Sequence, residues 1–466
     1  MVETVSERWA VVGGGMLGMT IALRLAQQGK QVTLLEAAGH LGGLADAWRL
    51  AEWVWDRHYH VILKSDLHLR SLLKELGFEN ELKWTETRTG FYTDGKLYSM
   101  SNVVEFLRFP PLSLLDRLRL GVTIFYASRI KDWRKLENTP VADWLQRWSG
   151  THTFEKIWLP LLRAKLGEGY GKTSAAFIWA TIARMYAARR TGLKKEMFGF
   201  IDGGYARIME QFIEVLRKSE VRIKLSCPVK EVCSRDGIGV NVKFGSGQSE
   251  TFDQVVLTIP APTVMKVCPV LSQVEKARLS GVEYQGIVCA SLLLKHPLSK
   301  FYITNLTDPS LPFTAVIEMT ALVDRSRFGG NSLVYLPKYV SAHAPEFSLS
   351  DQEIQERFLS ALENIYPHFH RDDLLCFRVS RAPHVFALST LNYSAHVPAQ
   401  TTSIPGVHIV NSAQIVNSTL NVNETVRLAE QAACALNVNS KQAELSYGNV
   451  PCESGETHSQ LVVGPG

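Results

Sequence analysis

Residues 9–36 read WAVVGGGMLGMTIALRLAQQGKQVTLLE, and this stretch decides the fold. Trp9 to Val12 is a short apolar run closed by Gly13-Gly14-Gly15, the pattern of a buried parallel strand that ends in a tight turn. Leu17, Ile21 and Leu25 then recur every four residues, which predicts a helix from Met16 to Gln28 with Gly29 as its stop. Gln31 to Glu36 is a second strand, and a right-handed crossover makes the two strands parallel. Three glycines at the junction have separate tasks. Gly13 permits the turn, Gly15 lets a diphosphate approach the backbone, and Gly18 lets the helix pack on the strand. The helix start offers unpaired N–H groups and a positive dipole end to the phosphates. Glu36 closes the second strand roughly 20 residues on, where an acid accepts ribose hydroxyls. Strand, glycines, helix, strand and terminal acid in register describe a dinucleotide-binding unit. The competing reading is a tight turn that binds nothing.

Working outward, Gly42-Gly43-Leu44-Ala45 places a second glycine turn just past the acid, followed by Trp55-Asp56-Arg57-His58-Tyr59-His60-Val61. A long, bent dinucleotide needs such a second close backbone approach. With these two segments the chain resembles the N-terminus of the flavin amine oxidase superfamily, which includes monoamine oxidases, protoporphyrinogen oxidases and carotenoid (phytoene-type) desaturases. Later pieces resemble it too: Phe200-Ile-Asp-Gly203-Gly204 before a helix, Pro228-Val229-Lys230-Glu231-Val232, and Asp253-Gln-Val-Val-Leu-Thr258-Ile-Pro260. The central Trp158-Leu-Pro-Leu-Leu-Arg-Ala-Lys165-Leu-Gly167, with Trp179 and Arg184, is most similar to the desaturase and protoporphyrinogen-oxidase-like branch. The resemblance covers residues 8–436. It implies an α/β chain: a Rossmann-like FAD-binding domain of the GR2 type with an inserted, mixed α+β substrate domain. FAD is the implied cofactor. Its implied contacts are Gly13, Gly15, Met16, Leu17, Gly18, Glu36, Ala37, Gly42, Gly43, Leu44, His60, Val229, Thr258, Ser412, Asn421, Val422 and Asn423. One departure stands out, because Asn411-Ser412 occupies the place of the family's C-terminal Gly-Asp pair. The helix after it still offers N–H groups, with Asn423 as its expected cap.

The implied domains are discontinuous. Residues 1–85, 200–270 and 400–437 are expected to bind the cofactor. Residues 86–199, helical in this first part, and 271–399 are expected to bind substrate. Residues 438–466, rich in Ser, Gln, Glu, Gly and Asn, are expected to form a disordered tail. The bulk numbers set bounds. The chain has 466 residues, 46% hydrophobic, which is long enough for two or three cores. Its 50 basic and 45 acidic residues leave a net charge of +5, a spread-out excess that gives no case for nucleic acid. Seven scattered cysteines without metal-ligand spacing fit reduced thiols and no metal site. Neither a secretory signal nor a run of ~18 apolar residues is visible, so a soluble cytoplasmic protein is expected. Phe106 to Trp133 adds a second option: apolar residues mixed with Arg and Lys suit either a buried helix or one lying on a membrane surface.

Catalytic groups are less defined, because the flavin itself takes the hydride while the protein orients and tunes. His58 and His60 adjoin the second glycine turn, with Asp56 near enough to orient one of them; the bland reading is a histidine bonded to backbone. Lys165 resembles a family lysine-plus-glycine element, against a default of an exposed or paired lysine. Arg184, Arg189 and Arg190 suit a carboxylate or phosphate of the substrate, against a solvated helix face. The leading expectation is a desaturase- or oxidase-type enzyme that removes hydride from an apolar, isoprenoid- or tetrapyrrole-like small molecule, with the electron acceptor left open. Alternatives are a non-redox flavoenzyme of the sugar-nucleotide mutase type, an amine oxidase, and a non-catalytic flavoprotein.

Overall fold

In a computed structural model, residues 6–188, 197–235, 239–416 and 419–447 are described. Arg8–Val12 (β1), Met16–Gln27 (α1) and Gln31–Leu35 (β2) form the expected unit. β1 pairs in parallel with β2, Val12 opposite Leu35, and on its other side with Gln254–Leu257. Arg222–Lys224 extends the sheet beyond β2, and Val407–Ile409 extends it beyond Gln254–Leu257, both in parallel. Five parallel strands therefore come from stretches hundreds of residues apart. Their apolar runs are buried because helices cover one face and the three-stranded sheet Val229–Arg235, Gly239–Phe244 and Ser249–Phe252 packs on the other. α1 lies on one face with the C-terminal helix Val422–Tyr447 against it, sealing Ile21, Leu25, Val426, Ala429 and Ala432 from water.

A seven-stranded sheet joins the hairpin Thr89–Thr93/Lys96–Ser99 to strands between Tyr284 and Ala387. The hairpin turns at Asp94-Gly95, both at positive φ, the Asp-Gly chemistry that two-residue hairpins favour. Tyr284–Leu294 is buried along its whole length because Ser332–Ser341 and Leu374–Ala387 flank it. Over this sheet lies a layer of helices that includes Leu114–Arg129, Leu159–Leu166 and Ala175–Ala188.

Two local expectations change. The last helix runs to Tyr447, so part of the 438–466 segment expected to be a disordered tail is helical. Lys441, Gln442, Ala443, Glu444 and Leu445 are good helix formers with no Gly or Pro among them, and an established helix propagates through such residues. Residues 448–466, the rest of that expected tail, lie outside the described residues. The helix also starts at Val422, one to two residues early, and Asn421 is its cap: Asn421 Oδ1 accepts the Glu424 N–H at 3.0 Å. Asn423, expected in that role, instead accepts the Leu69 N–H at 3.1 Å and ties the helix start to a neighbouring element.

Candidate cofactor and substrate site

The parallel strands end at one edge, and the glycine turn sits there. Gly13 has φ +112°, and a Cβ on it would meet Thr258 Oγ1 at 2.5 Å. A Cβ on Gly18 would stand 1.9 Å from the Gly13 carbonyl, so the helix reaches the strand only because Gly18 has none. Gly14 is tight as well: a Cβ would lie 2.3 Å from Leu41, and its N–H donates to Glu36 Oε2 at 2.6 Å. Gly15 differs. It is the N-cap of α1, no side chain caps the helix, and the nearest atom to a Cβ there is Gly43 Cα at 3.9 Å. A side chain there would meet only one ordinary contact, so the bare first turn of α1, at Met16, Leu17 and Gly18, is not crowded from that side. The second glycine turn closes against the first, with Gly42 N–H donating to Gly14 O at 2.8 Å and positive φ at Gly42 and Gly43.

Glu36 holds two backbone N–H groups, that of Gly14 and that of Ala38 at 2.8 Å. Its carboxylate thus fixes the shape of the turn that a ligand enters. Cys227 N–H donates to Glu36 O, and Ser226 N–H to Ala38 O, which brings the strand beginning at Val229 beside the acid and Ala37. Thr258 spends its hydroxyl on Val12 O at 2.9 Å, pinning strand end to turn. Asn411, fully buried, donates to Ile259 O at 3.0 Å and accepts the Ala413 N–H, so it fastens the last strand to its neighbour and leaves Ser412 half-buried at the start of a short helix. A diphosphate fits an uncapped helix start that is not crowded at Gly15, and a ribose fits beside Glu36. The residues present are those an FAD needs at its phosphate and ribose end.

The histidines divide. His58 is buried, with Nδ1 3.2 Å from Leu44 O and Nε2 3.1 Å from Ser380 Oγ. Burial pulls its pKa down to about 3, so it is a neutral ring clamped between the second glycine turn and the large sheet. His60 lies 3.8 Å from the buried Asp56 carboxylate, packs on the Tyr205 ring at 4.9 Å, and remains partly exposed. Asp56 is taken up mainly by structure: its Oδ1 accepts the Tyr205 N–H at 2.7 Å at the start of the Gly204–Lys218 helix, and burial raises its pKa. Arg184 grips the buried Asp66 carboxylate at 3.0 Å, an internal ion pair rather than a free anion site. Arg189 and Arg190 lie outside the described residues. Lys165 sits deep, its Nζ 3.6 Å from the centre of the Tyr339 ring and 5.1 Å from that of Phe386.

Sequence reading missed three participants. Gly14 is one; the second is Arg57, paired to Asp46 beside the second glycine turn and stacked on Trp48. Third is the pair Tyr59–Tyr339, whose hydroxyls meet at 2.7 Å. The GGG run could have flagged Gly14, whereas nothing in the chain predicts a contact across 280 residues.

Comparison with known proteins gives the family. The model described as "Flavin containing amine oxidoreductase" matches residues 17–437. The chain is similar to a "Probable zeta-carotene desaturase" of Synechococcus elongatus, 25% identical over 261 residues, covering 51% of this chain and 54% of that one. It is also similar to the 15-cis-phytoene desaturase of Narcissus pseudonarcissus, 22% identical over 385 residues, with 77% and 65% covered. The chain thus spans about half to two thirds of the length of these relatives. Among solved structures, reduced UDP-galactopyranose mutase superposes with a TM-score of 0.72 at 14% identity, covering 93% of this chain and 94% of that one, a likeness of fold. Residues 17–437 take in α1 from Leu17 onward, the second glycine turn and Asn421, and begin just after the first glycine turn. The chain belongs to the flavin containing amine oxidoreductase family.

Proposed function

We propose that this enzyme removes hydride from an apolar small molecule of isoprenoid type, with a tetrapyrrole as the second candidate class, and leaves a new double bond. The observation that carries the reading is the kinship with zeta-carotene and phytoene desaturases, joined to the chemistry of the layer facing the large sheet. There Trp158, Leu161, Trp179, Val385 and Phe386 belong to one cluster of aromatic and aliphatic side chains between the helical layer and the sheet. Apolar chemistry of this kind supports a substrate recognised by apolar contact.

In this reading residues 1–85, 200–270 and 400–437 bind FAD, and 86–199 with 271–399 bind substrate. The α1 start (Gly15, Met16, Leu17, Gly18) holds the diphosphate, and Glu36, Ala37 and Val229 hold the adenosine end. Gly42, Gly43, Leu44, His60, Ser412 and the 421–423 helix start border the remainder, while Gly13 and Thr258 hold the turn in shape.

Peripheral membrane contact is part of the same reading. Leu114, Leu115, Leu118, Val122 and Phe125 stand exposed on the Leu114–Arg129 helix, Leu115 at 66% and Val122 at 59%. Exposed Arg108, Arg119, Arg129, Lys131, Arg134 and Lys135 surround them. An apolar stripe edged with cations suits a helix lying in an anionic lipid interface. No helix among the described residues is long and apolar enough to cross a membrane.

Anaerobic mixing of the yellow holoenzyme with zeta-carotene, phytoene or protoporphyrinogen in detergent micelles tests the reaction, with putrescine as the amine control. Bleaching by an apolar probe is expected. Bleaching by the amine alone, or by none of them, overturns the proposal.

A further inference from the structure

Lys165 combines three features that a surface or structural lysine does not. Protein surrounds it, yet part of its side chain remains accessible, as it does for Tyr59 and Tyr339. The three side chains lie together, Tyr339 touching both the Tyr59 hydroxyl and the lysine amine. Among the described residues no carboxylate pairs with its amine, and burial alone lowers its pKa to about 7. Its neighbours are aromatic faces, Tyr339 at 3.6 Å and Phe386 at 5.1 Å.

A chain of contacts links this lysine to the cofactor end of the molecule. Leu44 O, in the second glycine turn, meets His58 Nδ1 at 3.2 Å. The next residue, Tyr59, meets Tyr339 hydroxyl to hydroxyl at 2.7 Å, and the Tyr339 ring faces Lys165 Nζ. The lysine's own helix, Leu159–Leu166, follows directly on a π-helical turn, Phe154–Trp158, a local geometry frequent at functional sites. Trp158 ends that turn with a buried indole N–H that has no partner among the described residues.

Resting on the reading of the chain as a hydride-removing FAD enzyme, we infer that the Lys165 amine is its proton acceptor. FAD, when bound, supplies the hydride acceptor. Two C–H bonds of the substrate break. The electron pair of the first leaves with the hydride. The proton of the second passes to the Nζ lone pair, forming an N–H bond, and the electron pair left between the two carbons becomes the double bond. Loss of hydride builds positive charge on carbon, which makes the adjacent C–H acidic enough for a weak base. A neutral amine meets that charge without repulsion, and the Tyr339 and Phe386 faces stabilise first the cationic carbon and then the ammonium. The titratable groups packed around are few. Burial raises Tyr59 and Tyr339, so both stay neutral. Arg163, on the same helix, turns outward to Glu168.

The test follows anaerobic bleaching of the holoenzyme by zeta-carotene in micelles from pH 6 to 9. The native rate is expected to rise through a midpoint near 7. Lys165→Met is expected to keep FAD but lose about 100-fold or more in rate, together with that midpoint. Its thermal midpoint is read independently. A base that burial keeps neutral lowers stability below its unfolded pKa of 10.5, fully so below 7. Lys165→Met should therefore melt higher than native at pH 6–7, with the gap closing toward pH 10. A lysine that serves only to stack on Tyr339 gives the reverse, a variant that melts lower at neutral pH. Bleaching of Lys165→Met at the native rate, or a native profile flat across the range, overturns the inference and leaves the hydride reading standing. Native enzyme that no apolar probe bleaches overturns that reading, and the proton acceptor falls with it.

Discussion

At the scale of single residues, the glycines of the first turn are not interchangeable. Gly15→Val adds a side chain whose Cβ makes one ordinary contact, at φ −77°, where any L residue is comfortable. The variant is expected to fold with a near-native thermal midpoint and to be purified colourless, since the new methyl groups occupy the diphosphate's approach. Gly18→Ala drives a methyl against the Gly13 carbonyl and is expected to lower stability by about 1–3 kcal/mol or more, the cost of overpacking. Absorbance near 450 nm (an approximate flavin marker, the redox chemistry of) with a melting curve separates the two. A yellow Gly15→Val protein contradicts the phosphate assignment. These positions were legible because backbone clearance leaves only glycine as a solution, so the sequence has to spell it. Lys165 was visible merely as a candidate. Its isolation from the carboxylates of the described residues depends on which helix face turns inward, and that is a property of the packed molecule.

At the scale of elements, helices with strong caps and strict periodicity were read nearly to the residue. Ser350, followed three residues later by Glu353, spells the capping box that starts Asp351–Ile365. The long strand Leu374–Ala387 was not seen. Its inward and outward residues alternate imperfectly around a register shift, and Pro383 argues locally against a strand, although it is tolerated where the strand is an edge. The Thr89–Ser99 hairpin was missed despite its Asp-Gly signal, for want of long apolar flanks. The Leu114–Arg129 helix makes its own prediction. Leu115→Asp with Val122→Asp should leave the fold intact, because both side chains already face solvent. Loss of about tenfold or more in co-sedimentation with anionic vesicles is expected, scaled on apolar burial plus charge attraction. Unchanged vesicle binding contradicts the membrane reading. A shift from dimer to monomer in sedimentation velocity, without any vesicle effect, assigns the stripe to a second copy of the chain.

At the scale of the whole molecule, the C-terminal stretch completes the first sheet and covers α1. Val407, Ile409, Val426, Ala429 and Ala432 are sealed to 2% exposure or less. A chain ended after residue 403 lacks the edge strand and that cover together. It is expected to show no cooperative melting transition and to bind no FAD, as calorimetry with added cofactor would reveal. The α/β class and the parallel order of β1 and β2 could be read from 28 residues, because a βαβ unit is specified locally. The partners of that unit could not, since strand neighbours are chosen by burial across the entire chain. The packing of the last helix on α1 has a consequence for biosynthesis. A nascent polypeptide leaves the ribosome with α1 bare on one side until residues 422–436 have been translated. Over that span an apolar face stays open to wrong partners, the kind of surface that chaperones shield.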